Sequence, residues 1–176
     1  MTEYEKSQLG LPHIFDEPMT RMYYEAAKLS DEYNRTFYDD TEKSSLLLSQ
    51  LLKHVGENVI IMPNFHCEYG HNIMIGNNVL INFNSIIMDN AEVIIGDDVL
   101  IGPNAGIYTV NHAIVPDERA KGICICKPVH IENKVWFGAD VKVLAGAFNE
   151  HCELGVVLSP SSALLHLMRS IYPADV

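Results

Sequence analysis

The sequence predicts a mainly β fold, a solenoid of stacked triangular coils with a helical segment at its N-terminus and one projecting loop. Three observations lead there. Beyond Lys53 a branched aliphatic residue returns every six residues, often followed by Gly or Asn and, four positions on, by a small or branched residue. Several hexads share this register: VGENVI (55–60), IGNNVL (75–80), INFNSI (81–86), IGDDVL (95–100), IGPNAG (101–106), IENKVW (131–136) and FGADVK (137–142). The period breaks once, over YTVNHAIVPDERAKGICICKP (108–128), and before residue 54 the apolar spacing is helical instead.

The elements follow in order. Met19, Met22, Tyr23, Ala26, Ala27 and Leu29 give one amphipathic helix, with Asp16, Glu17 and Pro18 at its start. Leu46, Leu47, Leu48, Leu51 and Leu52 give a second, opened by Asp40 or Thr41, and NRTFYDD (34–40) between them reads as a turn. The leading apolar positions of the repeat then run 55, 61, 67, 73, shift by two to 75, 81, 87, 93, shift again to 95, 101, 107, and resume at 131, 137, 143. Simple alternation would place apolar side chains more densely, and helices would not carry so many Gly and Asn residues. A period of six fits one short strand and one turn per hexad, three hexads per coil, each coil burying the aliphatic column of the next. Gly and Asn after the aliphatic residue suit corners that need positive φ. The chain therefore divides into a helical segment (1–53), a hexad region (54–158) with a loop at 108–128, and a tail (159–176).

Composition narrows the function. With 12 Lys and Arg against 23 Asp and Glu, the formal net charge is −11, unsuited to a nucleic-acid phosphate backbone. No apolar run approaches the roughly 20 residues of a membrane span, and MTEYEKSQLG lacks the basic-then-apolar pattern of a secretory signal. The expected setting is cytoplasmic, with Cys67, Cys124, Cys126 and Cys152 as free thiols.

FHCEYGHNI (65–73), INFNSIIMD (81–89), IGPNAGIYTVNHAIVPDER (101–119) and KPVHIENKVWFGADVKVLAG (127–146) together resemble the hexapeptide-repeat acyltransferases. Within these the sequence is most similar to the maltose, galactoside and nodulation O-acetyltransferase group, over roughly residues 10 to 146. The resemblance implies a left-handed parallel β-helix, a homotrimer with active sites between neighbouring coils, and acetyl transfer from acetyl-CoA to a hydroxyl of a sugar or similar small acceptor.

On that resemblance His112 is the general base, and the chemistry needs one. An alcohol is a poor nucleophile at neutral pH, so attack on a thioester calls for a group of pKa about 6–7 beside the hydroxyl. Asn82 matches an acceptor-binding position, with Asn84 beside it, and either amide can both donate to and accept from a sugar hydroxyl; each could equally be an Asn stacked in a coil turn. Glu68 stands where relatives place Asp or Ser near the acceptor. Asp16 matches an acidic acceptor contact, or is a helix N-cap. Asp89 shapes the acceptor pocket or sits at a coil corner. Trp136 matches an aromatic near the pantetheine arm, and Gly138 and Ala139 a backbone donor near the thioester oxygen. No metal is expected: His130 is the next histidine after His112, unlike the zinc-binding pairs of related carbonic anhydrases, and Cys124-Ile125-Cys126 lacks the spacer of a structural zinc site.

After Gly146 the pattern departs from its relatives. FNEHCE (148–153) and LGVVLS (154–159) still read as hexads, but SPSSALLHLMRSIYPADV (159–176) replaces the glycine-rich hexads and basic C-terminal segment that hold coenzyme A in the family. Two readings stand: an active O-acetyltransferase, and a catalytically silent trimeric scaffold that keeps the acceptor cleft but holds coenzyme A poorly. The acidity itself is no bar to a local basic patch, since Arg119, Lys121, Lys127, Lys134 and Lys142 lie in the loop and later coils.

Overall fold

A computed structural model describes residues 1–149. The C-terminal hexads and the tail anticipated beyond that point lie outside the described residues.

Three helices precede the coils: α1 (Glu3–Gln8), α2 (Glu17–Thr36) and α3 (Thr41–Leu51). α1, which carries no apolar periodicity, is held by a capping box in which Thr2 and Glu5 satisfy each other's backbone N–H. Asp16 caps α2 by accepting from Met19 N–H, and Asp40 caps α3 by accepting from Lys43 N–H. The buried stripe of α2 is Met19, Ala26, Ser30 and Tyr33. It runs further than the apolar pattern suggests, because Asn34 continues the helix to exchange two hydrogen bonds with the Phe65 backbone (2.9 and 3.0 Å). Leu47, Leu48, Leu51 and Leu52 of the α3 region join Ile61, Phe65, Cys67 and Ile73 in one core, so the helices plug the open end of the coil stack.

The first coil is β1 (His54–Val55), β2 (Ile60–Ile61) and β3 (His66–Cys67); the second is β4 (Ile73–Ile75), β5 (Leu80–Ile81) and β6 (Ile86–Met88). The third is β7 (Val93–Ile95), β8 (Leu100–Ile101) and β9 (Gly106–Tyr108). The projecting loop then forms β10 (Val110–His112), α4 (Pro116–Ala120) and β11 (Cys124–Cys126). A fourth coil follows as β12 (Val129–Ile131), β13 (Trp136–Phe137) and β14 (Lys142–Val143), and β15 (Phe148–Asn149) starts the next turn. Every coil-to-coil pairing is parallel, giving three faces ordered β1-β4-β7-β12-β15, β2-β5-β8-β13 and β3-β6-β9-β14.

The leading residues of the hexads are the core. Ile61, Ile73, Ile75, Ile81, Ile87, Val93, Ile95, Ile101, Ile107, Ile131, Phe137 and Val143 are all buried, as are the residues four positions on, such as Phe65, Val79, Ser85, Val99, Ala105, Val135 and Val141.

The corners separate two roles that the sequence runs together. Positive φ falls three positions after the leading residue, on Asn58, Asn64, Asn78, Asn84, Asp98, Asn104, Lys134 and Asp140. The glycine directly after the leading residue is not there for φ. A Cβ on Gly76 would lie 2.8 Å from the Gly96 carbonyl carbon, and one on Gly102 2.6 Å from the Gly138 carbonyl. Glycine is needed because the next coil's backbone passes that close.

The two-residue shifts of the repeat all occur at one corner. The connections β3–β4 and β6–β7 are the long ones in the first two coils, and in the third coil the same corner, β9–β12, opens into the whole loop. One long edge of the prism is therefore irregular, while the other two are regular ladders.

Candidate active site

The irregular edge gathers the chemistry. Asp89, fully buried at the second coil's long corner, accepts from the backbone N–H groups of Glu68 (3.0 Å), Tyr69 (2.8 Å) and Asn72 (3.2 Å) in the coil below. Asn72 returns a side-chain bond to the Asp89 carbonyl at 2.7 Å. Burial pushes the Asp89 carboxyl up, against the pull of those donors. Its role in this arrangement is to fix the turn that presents Glu68.

Glu68 is buried, and its pKa is raised first by that burial and then by the neighbouring Asp89 charge. The adjacent Tyr69 phenol and both ends of the Asn90 amide are buried without a hydrogen bond of normal geometry, although Asn90 lies close enough to bear on Glu68 and Tyr69. Asn90 carries no motif of its own; its buried, poorly satisfied amide becomes visible only once the corner is built. A cleft of about 240 Å³ opens between α2 and the β3–β6 face, lined by Tyr23, Ala27, Ser30, His66, Cys67, Glu68, Ile86 and Met88. The N-terminal segment approaches the same turn: Phe15 stacks on Tyr69 with ring centroids 6.3 Å apart. Its neighbour Asp16 spends one carboxylate oxygen on the α2 cap.

The loop is stapled to this corner. Thr109 donates to the Met88 carbonyl (2.6 Å) and accepts from Ala91 N–H (2.9 Å), spanning the residues that carry Asp89 and Asn90. Three residues later comes His112, at the end of β10. β10 and β11 pair antiparallel with His112 opposite Cys124. The backbone bonds Ala113 N–H to Ile123 (3.0 Å) and Lys127 N–H to Thr109 (2.8 Å) fix the alternation. By that alternation, His112 and Cys124 form a non-hydrogen-bonded pair, in which opposing side chains come closest. His112 is exposed and its Nδ1 lies 3.3 Å from the Sγ of Cys124, which is buried. Cys124 turns its own backbone the other way, donating to His13 O (2.8 Å) and accepting from His13 N–H (3.1 Å).

Cys126 is also buried, its Sγ 3.8 Å from His13 Nε2, and burial above all pushes its thiol up to about 12. Arg119, counted in sequence among the cations of a basic patch, instead ties the hairpin tip, donating to the carbonyls of Ala113 (3.1 Å) and Ile114 (2.9 Å).

The remaining expected residues lie on other edges. Asn84 has positive φ and sits in a side-chain ladder, Asn64 to Asn84 (2.9 Å) and Asn84 to Asn104 (3.0 Å). That ladder accounts for both ends of its amide. Asn82, at the same corner, accepts from Phe83 N–H at 2.8 Å and remains half-buried. Trp136 and Ala139 are exposed and Gly138 half-buried, together on β13 and the corner after it. Cys67, Cys124 and Cys126 are free thiols, and no group of three or more His, Cys, Asp or Glu side chains among the described residues is placed to hold a metal. No described helix is long and apolar enough to cross a membrane.

Stacked hexad coils with an exposed imidazole raised on a hairpin at the one irregular edge define a hexapeptide-repeat protein. Comparison with known proteins carries this further. Nodulation protein L of Rhizobium meliloti is 41% identical over 114 residues, covering 65% of this chain and 62% of that protein. A maltose O-acetyltransferase from Clostridium difficile has a TM-score of 0.81 at 36% identity, over 83% of this chain and 79% of its own. A hexapeptide-repeat acetyltransferase of Vibrio cholerae, solved with acetyl coenzyme A, has a TM-score of 0.74 at 36% identity with the same coverages. No family model matches the chain. On these likenesses the chain belongs to the hexapeptide-repeat acetyltransferases, and its fold is the left-handed parallel β-helix of that family.

Proposed function

We propose that the chain is an acetyl-CoA-dependent O-acetyltransferase acting on a hydroxyl of a sugar or similar small acceptor, with His112 as general base. The observation that carries the reading is the His112–Cys124 pair: Nδ1 meets Cys124 Sγ at 3.3 Å, which leaves Nε2 as the ring nitrogen without a hydrogen-bond partner among the described residues. The solved relatives with acetyl coenzyme A and with maltose specificity in their names support the donor and the acceptor class.

In this mechanism Nε2 removes the acceptor's hydroxyl proton as its oxygen attacks the thioester carbonyl. The tetrahedral intermediate collapses with cleavage of the C–S bond, and the imidazolium returns the proton to the departing thiolate. Ala139 N–H is the proposed oxyanion donor and Trp136 the surface for the pantetheine arm. Glu68, Asp16 and Asn82 are the proposed acceptor contacts, with Asp89 and Asn84 building the corners that hold them. The assembly is proposed as a cytoplasmic homotrimer without nucleic-acid or membrane partners.

Acetyl-CoA with a panel of sugars tests the reading, with free thiol release as the readout. Wild type releases thiol with an accepted sugar, and His112→Ala lowers kcat by about 10²–10⁴-fold, the usual contribution of a positioned base. Unchanged turnover in the variant removes His112 from the mechanism. Titration with coenzyme A separates the silent-scaffold reading: micromolar binding defeats it, and no binding at millimolar concentration defeats the enzyme.

A further inference from the structure

We propose that Cys124 is a positioning residue for His112, acting as a neutral thiol that selects the imidazole tautomer; its kinetic consequence rests on the acetyltransferase reading. Three features of the hairpin carry this. The side chains meet at 3.3 Å between His112 Nδ1 and Cys124 Sγ, as directly opposed members of the close pair in the β10–β11 ladder. The thiol has a second partner, the Gly122 carbonyl at 3.5 Å. The strand that carries it cannot drift, because the two backbone bonds to His13 hold its far edge.

These contacts define a direction for the hydrogen bonds. A carbonyl oxygen only accepts, so the Cys124 S–H donates to Gly122. The sulfur is then left as an acceptor, and the group that donates to it is His112 Nδ1–H. A neutral imidazole protonated at Nδ1 is unprotonated at Nε2, which is the form a general base requires. Burial raises the thiol's pKa, consistent with a sulfur that keeps its proton and its donor role. Many catalytic histidines are oriented by a carboxylate, which also stabilises the imidazolium. Here the orienting group carries no charge, so it sets geometry and tautomer while adding no ion pair. Among the described residues no carboxylate bonds to the His112 ring.

The test combines kinetics with nitrogen-15 NMR of the His112 ring in the full-length protein. Wild type is expected in the Nδ1–H tautomer. Cys124→Ala is expected to shift the ring toward Nε2–H and to lower kcat by about 10- to 100-fold with KM for both substrates unchanged, a fraction of what a base contributes. Cys124→Ser, which keeps an acceptor and a donor on a shorter side chain, recovers most of the lost rate and the Nδ1–H tautomer. A wild-type ring in the Nε2–H form overturns the proposal, as does Cys124→Ala with wild-type kcat and an unchanged tautomer. Should Cys124→Ala fail to fold, the wild-type and Cys124→Ser spectra still decide it. Should wild type transfer acetyl to no acceptor, the proposed function fails while the tautomer measurement stands.

Discussion

Glu68 is a carboxyl that the fold withdraws from water with no cation beside it among the described residues. Burial and Asp89 both raise its pKa, and the nearby Asn90 amide offsets this only in part. The folded state therefore binds a proton more tightly than the unfolded chain does. The stability tied to that proton is present below the ordinary Glu value near 4.5 and is lost as pH rises through the higher folded value. Glu68→Gln keeps the shape and removes the charge, so its thermal midpoint should exceed that of wild type at pH 7–8, with the gap closing on approach to pH 4. A gap independent of pH would show that the carboxyl ionises in the fold as easily as in water. At this scale the motif resemblance singles out His112 and the acidic turn as candidates, and Asp16 as a cap or contact, of which the cap is seen in the structure. It could not disclose Cys124 as the partner of His112. That pairing depends on the strand register of a loop whose own residues, Ala113 to Ile123, show no periodicity. Thr109 and Asn90 escaped for a similar reason: their bonds or burial arise from stacking one coil on another.

Each regular edge is a ladder in which one residue's side chain supports the same position a coil away. Asn78 receives from Asn58 and donates to Asp98, both at 3.0 Å, while its backbone holds φ at 56°. Two separable costs follow. Asn78→Gly keeps the backbone comfortable and loses the ladder bonds, at about 1 kcal/mol. Asn78→Ala loses the bonds and also places a Cβ in the left-handed region, for a total of about 2–3 kcal/mol. Chemical denaturation at a fixed protein concentration should rank wild type above Gly and Gly above Ala. The reverse order would mean that glycine's extra freedom in the unfolded chain outweighs strain at this corner. The aliphatic columns up to residue 146 were legible because every hexad repeats one physical requirement. The split between glycine for close approach and Asn or Asp for φ was not, since both kinds of residue sit two positions apart in the same turn. The two-residue shifts were visible in the sequence as a broken count. Their meaning, that every shift lengthens the same edge and that this edge carries Glu68, Asp89 and the His112 hairpin, needed the coil to be closed.

On the whole molecule the three faces are unequal in how they meet solvent. α2 lies against the β3–β6 face, whereas the β2-β5-β8-β13 face carries an outward apolar column. Ile60 pairs with Leu80, Leu80 with Leu100 and Leu100 with Trp136, and Ile60, Leu100 and Trp136 are 51%, 48% and 53% exposed. The hairpin tip adds Ile114, 92% exposed, next to the residues that hold His112. Single exposed apolar side chains are ordinary, but a column in register over successive coils is a contiguous surface whose burial is favourable at about 25 cal/mol per Å². In the proposed trimer a neighbouring copy covers that column and brings its own coils beside it. Leu100→Glu tests this at the column's centre. Its side chain points outward from a strand whose backbone bonds are untouched, so circular dichroism should be unchanged. Sedimentation equilibrium should show the trimer dissociating at micromolar concentration, because three buried carboxylates would each lack a partner. Acetyl transfer should fall with the trimer fraction, as expected if each site is built from two copies. A dissociated Leu100→Glu protein with wild-type turnover per chain would instead show that the His112 hairpin and the Glu68 turn of one chain complete the site.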